Sequence, residues 1–196
     1  MKHIKSNSYE IVRLVINQVG ISIFALVLYI SMNIAGESSE ELGFSLNLIA
    51  SVFSILFYWA LLYSVVWEIG AKDRIKIDSG KNENFPLKGA LLSLVANVVN
   101  LVFAAVIIVG ELVRIFAGSD AMNGIVALLI VAVRFTSAMF LRTVNAVCLP
   151  FGGEINILAQ GVAYLIFFIL TVGVCQLAYT LGMNNFKVFG NKQKNK

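Results

Sequence analysis

Long runs of apolar residues, separated by short polar segments, dominate the pattern of the chain. A helix needs about twenty apolar residues to cross the hydrocarbon core of a bilayer. Four runs have that length, at residues 14–35, 44–67, 89–110 and 157–181. They predict an all-α fold, a polytopic transmembrane helix bundle of four spans in one domain, residues 1–196. The first run lacks a signal-peptide cleavage site, so we expect it to be retained.

The region between the third and fourth runs, residues 111–154, does not fit this pattern. Its first apolar run, residues 124–133, has only ten residues before Arg134, and its second ends at Pro150, Gly152 and Gly153. A re-entrant pair of short helices, an interfacial pair and two short spans all fit such a region, and a single fifth span is a further alternative. Backbone groups at membrane depth need protein partners. We therefore expect the other helices to cover this region.

Basic residues predict the orientation, because Lys and Arg favour the cytoplasmic side of a membrane. The longest internal polar stretch, residues 70–88, reads as a loop between the second and third runs, and the basic tail, residues 187–196, is expected to be disordered. With an even number of crossings, twelve of the fifteen basic residues lie on one side, and the exceptions are Arg114, Arg134 and Arg142. We therefore expect a cell-membrane protein with both termini in the cytoplasm.

Composition supports the membrane assignment and narrows the partners. The chain is 59% hydrophobic and only 13% charged, whereas a soluble domain is about 45–50% apolar and roughly a quarter charged. Its net charge is +4, and most basic residues flank apolar runs. Anionic lipid headgroups of the bilayer are therefore the expected partner. No basic stripe with interleaved aromatic residues is present, so we expect no binding to nucleic acid.

Polar residues inside the runs recur at spacings that share one helical face. The three stripes are Gln18, Ser22, Ala25 and Tyr29 in the first run, Asn47, Ser51, Ser54 and Tyr58 in the second, and Ser93, Asn97, Asn100, Ala104 and Glu111 in the third. A polar side chain facing lipid has no hydrogen-bond partner, so each stripe is expected to face another helix or water. The pattern favours helix packing, and a polar pathway between the first three spans is the alternative.

Charged residues near the ends of the spans are the other candidates for function. Glu111 and Arg114 are three residues apart and are expected to form an ion pair, either at headgroup level or in a pathway. Arg134 has no acidic residue within a helical turn, so it needs Glu111 or Glu154 from elsewhere, or a wet cavity. Arg142 and Asn145 continue the same polar sector, although Arg142 is also long enough to reach a membrane surface.

The sequence carries no recognisable catalytic or cofactor-binding motif. It has one histidine, His3, and two isolated cysteines, Cys148 and Cys175, which are expected to be small buried hydrophobic residues. Neither a phosphate-binding loop nor a metalloprotease or serine-hydrolase motif occurs. We therefore predict no catalytic residue, no cofactor and no metal site.

Three short elements resemble a group of small polytopic membrane proteins of low-GC Gram-positive bacteria. They are N-Q-V-G at residues 17–20, W-E-I-G-A-K-D at 67–73 and P-L-K-G at 86–89. The resemblance covers roughly the first hundred residues and implies no activity, substrate or catalytic residue, since none is established for that group. The group has a proline two residues after the position of Asn97, where this chain has Val99, which leaves a kink in the third span in doubt.

Two hypotheses about function follow from these features. The first is a transporter or the membrane subunit of a transport complex, and it requires a cavity between the first three spans and the Arg134 segment. The second is a non-catalytic structural or regulatory protein that docks a membrane or cytoplasmic protein partner at residues 70–88. In that second hypothesis Lys72, Asp73 and Arg74 form the root of the docking surface.

Overall fold

The structure, a computed structural model, describes residues 7–37, 40–81, 85–118, 122–148 and 156–186. Within these ranges the chain is helical and contains no strand. The basic tail and the segment with Pro150, Gly152, Gly153 and Glu154 lie outside the described residues. The order of elements is α1 Ser8–Ala35, α2 Glu40–Asp78, α3 Lys88–Ala96, α4 Val98–Ala117, α5 Asn123–Thr136, a 3₁₀ turn Ala138–Phe140, α6 Leu141–Cys148 and α7 Ile157–Met183.

Four of these helices, α1, α2, α4 and α7, are long and apolar enough to cross a membrane. The predicted all-α, multi-pass bundle is therefore confirmed. Their outer faces carry exposed apolar residues at helical spacing, such as Ile16, Ile23, Val27 and Ile30 on α1. Such a continuous apolar surface is stable against lipid but not against water.

Helix α2 differs from the expected span and loop, because it continues to Asp78 instead of ending near residue 67. Its 39 residues make a rod of about 58 Å, roughly twice the hydrocarbon thickness. Ion pairs four residues apart stabilise the extension, from Glu68 to Lys72 at 2.7 Å and from Arg74 to Asp78 at 3.7 Å. Residues 70–78 of the expected loop are thus helical.

The third span is interrupted at Asn97, between α3 and α4. The Asn97 side chain donates from Nδ2 to the Ser93 carbonyl at 3.0 Å, and the Asn97 backbone N–H donates to the same oxygen at 2.9 Å. This competition by a side chain for a helical acceptor distorts the helix locally. The interruption therefore needs no proline, and Val99 does not prevent it.

Contacts between spans define one end of the bundle. At one end Arg13 of α1 pairs with Glu68 of α2 at 3.3 Å, and Arg74 of α2 donates to the Met183 carbonyl of α7 at 3.1 Å. We call this the Asp73 end and the opposite end, where α1 turns into α2, the Gly36 end. Helix α1 starts and α7 ends at the Asp73 end, and α3 also starts there, since Lys88 pairs with Asp73. Helix α4 therefore ends, and α7 starts, at the Gly36 end.

The region between α4 and α7 is a broken helix. Helix α5 and the segment Ala138–Cys148 meet at an angle of 91° across Ser137. Since α4 ends and α7 starts at the Gly36 end, this pair enters and leaves the bundle on that side. This geometry does not fit a single fifth span and fits the alternatives in which the chain returns to the same side. Because the pair bends back within the bundle, we call residues 123–148 the re-entrant segment.

The break lies in the core and is covered by the other helices as expected, whereas α5 is not covered along its length, since Ile125, Leu128 and Val131 are exposed on its outer face. Phe140 is fully buried, stacked on Phe167 with ring centroids 4.9 Å apart and edge-on to Tyr58 and Phe168 at 6.2 and 6.0 Å. Aromatic contacts of this kind add to the stabilisation from area burial. The core therefore fixes the position of the break relative to α2 and α7.

Glycines let three helices meet backbone to backbone at the Asp73 end. A Cβ atom on Gly70 would clash with the Tyr179 carbonyl, and one on Gly182 would clash with the Trp67 carbonyl. A Cβ atom on Gly89 would lie 2.7 Å from the Cys175 carbonyl. Small residues permit such close approach between membrane helices. Two elements of the family resemblance, residues 67–73 and 86–89, thus meet at one helix crossing.

Candidate functional site

Hydroxyl groups from α1 and α2 replace the hydrogen bonds that the re-entrant segment loses at its break. The Phe140 N–H donates to Ser137 instead of Thr136, and Ser22 Oγ donates to the Thr136 carbonyl at 2.6 Å. Ser51 Oγ donates to the Met139 carbonyl at 2.7 Å. A broken helix at membrane depth is stable only when protein satisfies its backbone in this way.

Ser51 is inserted into the backbone ladder of the segment. In a regular helix the Thr143 N–H would donate to the Met139 carbonyl, but here it points to Ser51 Oγ at 3.4 Å, while Ser51 donates to that carbonyl. The Thr143 hydroxyl lies 3.0 Å from the same Ser51 oxygen. Insertion of a side chain into the helical ladder is a recognised cause of sharp kinks. The stripe of α2 therefore shapes the re-entrant segment directly.

The structure places the three polar stripes inside the bundle. The inward residues that are buried include Gln18 and Ser22 of α1, Asn47, Ser51, Ser54 and Tyr58 of α2, and Ser93, Asn97, Asn100, Ala104 and Glu111 of the third span, whereas Tyr29 is half-buried. Asn100 Oδ1 accepts from the Thr136 hydroxyl at 2.8 Å, so α4 also contacts the break. Asn47 Nδ2 donates to Asn33 Oδ1 at 2.7 Å.

Arg134 is held by neutral amides. Its Nη2 atom donates to Gln160 Oε1 at 3.2 Å, and Gln160 Nε2 donates to Asn145 Oδ1 at 3.0 Å. This chain of bonds joins α5, α7 and α6. Arg134 Nε is buried without a hydrogen-bond partner. Of the two acidic partners expected for Arg134, Glu154 lies outside the described residues.

The other expected partner, Glu111, pairs with Arg114 instead. Arg114 Nε donates to Glu111 Oε2 at 3.0 Å, in the i, i+3 arrangement expected from the sequence. The Glu111 side chain is 5% exposed and that of Arg114 is 47% exposed, so the pair reaches from the core to the surface. This placement makes Glu111 unavailable to neutralise Arg134.

Arg142 lies between two aromatic rings. Its guanidinium carbon is 5.8 Å from the ring centroid of Tyr29 and 5.5 Å from that of Phe44. Cation–π contacts of this kind are worth about 0.5–2 kcal/mol each, depending on desolvation. Arg142 Nε is buried and has no hydrogen-bond partner. The residue as a whole is half-buried, so the two rings enclose only part of the side chain.

A small cavity adjoins Arg142, between α1, α2 and the bend of the re-entrant segment. It is partly open to its surroundings, and its free interior holds about one water molecule. Its lining residues are Ala25, Tyr29, Asn47, Ala50, Ser51, Ser54, Ala138, Leu141 and Arg142. The cavity thus contacts the first two spans and the re-entrant segment, but the third span and Arg134 do not line it, so the cavity expected between the first three spans is only partly present.

Asp73 is buried, which removes it from the proposed docking surface. Its carboxylate is 6% exposed and accepts from Lys88 Nζ at 2.7 Å and from the Tyr179 hydroxyl at 3.1 Å. Lys72 and Arg74 are exposed on the extension of α2, where they pair with Glu68 and Asp78. The three residues expected at the root of the surface therefore split into one core residue and two surface residues.

Sequence reasoning did not identify Gln160, although it links Arg134 to Asn145. Helix α7 carries a stripe like the other spans, since Gln160, Tyr164, Thr171 and Gly182 lie at offsets of 0, 4, 11 and 22 and are all buried. The same spacing rule applied to the last span would have found this face. Thr136 and Ser137 are different, because their roles arise from a break that no Pro or Gly marks.

Within the described ranges, no group of three or more His, Cys, Asp or Glu residues is arranged to hold a metal ion. Cys148 and Cys175 are buried free thiols. No protein-family model, curated protein or solved structure matches this chain. The resemblance to membrane proteins of low-GC Gram-positive bacteria therefore stays a prediction.

Proposed function

We propose that this chain is a small transporter or the membrane subunit of a transport complex. The solute would bind at the cavity beside the re-entrant segment. The observation that carries the proposal is the Arg142 guanidinium in the wall of a cavity that adjoins a broken helix. Transporters commonly place their binding sites at discontinuous helices, where unwound backbone and polar side chains are sheltered by protein.

The cavity is narrow, so the proposal implies a second conformation in which it opens. Hydrogen bonds from Ser22 and Ser51 connect the wall formed by α1 and α2 to the re-entrant segment. They are donated to the Thr136 and Met139 carbonyls. Water or a solute hydroxyl is able to replace such bonds during opening. A transporter must expose the cavity to each side of the membrane in turn.

Cysteine labelling tests this alternation directly. Cys148 and Cys175 are replaced by Ala, and a single cysteine is introduced as Ser54→Cys, deep in the cavity wall. A membrane-impermeant thiol reagent is then added to right-side-out and to inside-out vesicles. We expect Ser54→Cys to react in both preparations.

The matched control for this experiment is Ala178→Cys. Ala178 is fully buried in α7 and does not line the cavity, so the reagent should not reach it from either side. Labelling of Ser54→Cys from one side only would contradict a transport cycle through this cavity. Equal labelling of both variants would show that the thiol reports general unfolding.

A second candidate function is a structural or regulatory protein that docks a membrane or cytoplasmic partner. The observation that favours it is the helical extension of α2, which exposes 70% of Ile75 beside Lys72, Arg74 and Lys76. The test compares the proteins captured by the wild-type chain with those captured after Lys72, Arg74 and Lys76 are changed to Gln, using Lys81→Gln as the control. The docking proposal would be wrong if the wild-type chain and the triple variant capture the same proteins.

We also propose that the chain lies in a bacterial cell membrane with both termini in the cytoplasm. The basic residues at the Asp73 end support this orientation, among them Arg13, Lys72, Arg74, Lys76 and Lys88. The positive-inside rule counts such residues close to the ends of the spans.

A further inference from the structure

Two buried polar atoms in the wall of the cavity have no partner in the structure, and they are of opposite kinds. Arg142 Nε is a donor on a charged group, and Asn47 Oδ1 is a neutral acceptor. Both residues line the same cavity, and Asn47 is only 2% exposed. Leaving a buried polar group unsatisfied costs about 1–3 kcal/mol, and more for a charged group.

The amide orientation of Asn47 is fixed by its other contacts. Asn47 Nδ2 donates to Asn33 Oδ1 at 2.7 Å and to the Gly43 carbonyl at 2.9 Å. Both partners are acceptors in this arrangement, so exchanging the amide nitrogen and oxygen would place an oxygen against the Gly43 carbonyl. The Oδ1 atom of Asn47 is therefore the unpartnered one and requires a donor.

The positive charge of Arg142 has no carboxylate partner among the residues that the structure describes. The ion pairs found there are Arg13–Glu68, Lys72–Glu68, Arg74–Asp78, Lys88–Asp73 and Arg114–Glu111. Tyr29 and Phe44 offer ring faces, which compensate only part of the desolvation of a guanidinium. An anion at the cavity would complete this environment.

From these features we propose that the cavity binds an oxyanion that carries its own hydrogen-bond donor. The charged oxygen accepts from Arg142, and a hydroxyl of the same group donates to Asn47 Oδ1. Hydrogen phosphate, phosphate monoesters and hydroxycarboxylates have this chemistry, and so do lipid headgroups that combine a phosphate with a hydroxyl. Since the cavity holds only about one water molecule in this structure, such a group binds when the cavity widens, and its partly open side leaves the rest of the molecule outside.

Both serine hydroxyls of the wall already have acceptors, which leaves Arg142, Asn47 and the Tyr29 hydroxyl to contact a ligand. The Ser51 hydroxyl donates to Met139, and the Ser54 hydroxyl donates to the Ala50 carbonyl of its own helix. These hydrogens are therefore not available to the ligand. Selectivity then depends on whether the ligand supplies both a charge and a donor, since a site with an unmet acceptor rejects an analogue that lacks the donor.

This inference deepens the proposed function by naming the class of solute, but its test measures binding and needs no transport. Purified protein in detergent is titrated with glycolate, acetate and inorganic phosphate, and binding is followed by thermal stability and by competition with labelled phosphate. Glycolate and acetate differ by one hydroxyl. We expect glycolate to compete roughly fivefold to tenfold more strongly than acetate, as one hydrogen bond to a buried acceptor predicts.

Variants of the two wall residues complete the test. Arg142→Gln should abolish the stabilisation by phosphate and glycolate, Arg142→Lys should retain part of it, and Asn47→Leu should remove the preference for glycolate over acetate. Lys81→Gln is the control, because it makes the same change of charge at an exposed position far from the cavity wall. The competition on the wild-type protein remains decisive if a variant fails to fold.

A second arm distinguishes a soluble anion from a lipid. The protein is placed in nanodiscs of phosphatidylcholine with or without phosphatidylglycerol, whose headgroup carries hydroxyls. Stabilisation by phosphatidylglycerol that is lost in Arg142→Gln, without any effect of soluble anions, would identify the ligand as a lipid headgroup. The proposal is overturned if no probe in either arm gives an effect that depends on Arg142, which would leave a bridging water as the occupant.

Failure of this proposal and failure of the transport proposal have different signatures. Labelling of Ser54→Cys from one side only, together with binding that depends on Arg142, would leave an anion-binding membrane protein that does not transport. Labelling from both sides without any such binding would leave a transporter for a different class of solute.

Discussion

At the scale of single residues, Asp73 shows how a charge is accommodated at the edge of this bundle. Its Oδ2 atom accepts from Lys88 and from Tyr179, so α2, α3 and α7 meet on one carboxylate. Both charged side chains are mostly buried, at 6% and 14% exposure. Removing one partner of such a pair leaves the other charge buried and uncompensated.

Asp73→Asn is therefore expected to lower the free energy of unfolding by about 3–5 kcal/mol, as for other broken buried ion pairs. The change preserves the size of the side chain but leaves the Lys88 ammonium without a counter-ion. Denaturant titration of the purified protein in detergent micelles measures the loss. Glu68→Gln serves as the control, because Glu68 forms exposed pairs whose removal should cost about 1 kcal/mol or less.

The environment of individual residues was predictable only where it depends on helical spacing. The stripes of the first three spans indicated which polar residues face inward, because neighbours on one face share their surroundings. The environment of Arg142 was not predictable in this way. Tyr29 and Phe44 are roughly a hundred positions earlier in the chain, and only tertiary packing brings their rings to the guanidinium.

At the scale of secondary-structure elements, the re-entrant segment depends on hydroxyls from other helices. Ser51 supplies one of these, and Ser54 on the same face does not, because Ser54 bonds to its own helix at Ala50. The two serines differ in what their removal leaves unsatisfied. Loss of Ser51 Oγ leaves the Met139 carbonyl without its donor, whereas loss of Ser54 Oγ leaves no partner unpaired outside the helical ladder of α2.

We expect Ser51→Ala to destabilise the protein by about 1–3 kcal/mol, the cost of an unsatisfied buried carbonyl. Ser54→Ala should change stability by only about 0.5 kcal/mol, since the Ala50 carbonyl keeps its position in the helix. Thermal unfolding in one detergent compares the two variants. An equal effect of both substitutions would mean that the Ser51 bond to the break does not support the fold.

The position of the break itself was beyond sequence reasoning. The short run 124–133 and the following Arg134 indicated an irregular region, and the breaking signal in the sequence was the Pro-Phe-Gly-Gly stretch near residue 150. The described break lies at Ser137, where neither proline nor glycine occurs. Its stability comes from Ser22 and Ser51, which are more than eighty residues away in the chain, so no local pattern marks it.

At the scale of the whole molecule, the four spans were predictable because length and hydropathy alone determine them. Among the described residues, α1 starts and α7 ends at the same end of the bundle, the Asp73 end. The ends of the helices were less predictable from the sequence. Helix α2 continues past its apolar run because charged pairs four residues apart support a helix in water as well as in lipid.

The path of the chain predicts where each part is accessible. A cysteine added after Lys196 and one placed at Glu37 should react with an impermeant reagent on opposite sides of the membrane, with Cys148 and Cys175 replaced by Ala. Glu37 is exposed at the turn between α1 and α2. Labelling of both cysteines from the outside of intact cells would refute the even number of crossings and the proposed cytoplasmic termini.

The uninterrupted length of α2 has a mechanical consequence. No break separates Ser51, which is bonded to the re-entrant segment, from Arg74, about 35 Å further along the same helix. A second protein that binds and moves the projecting end would move the whole helix. The movement would then reach the hydrogen bond between Ser51 and the Met139 carbonyl. Helix α2 is therefore able to transmit binding at its projecting end to the break of the re-entrant segment in the core.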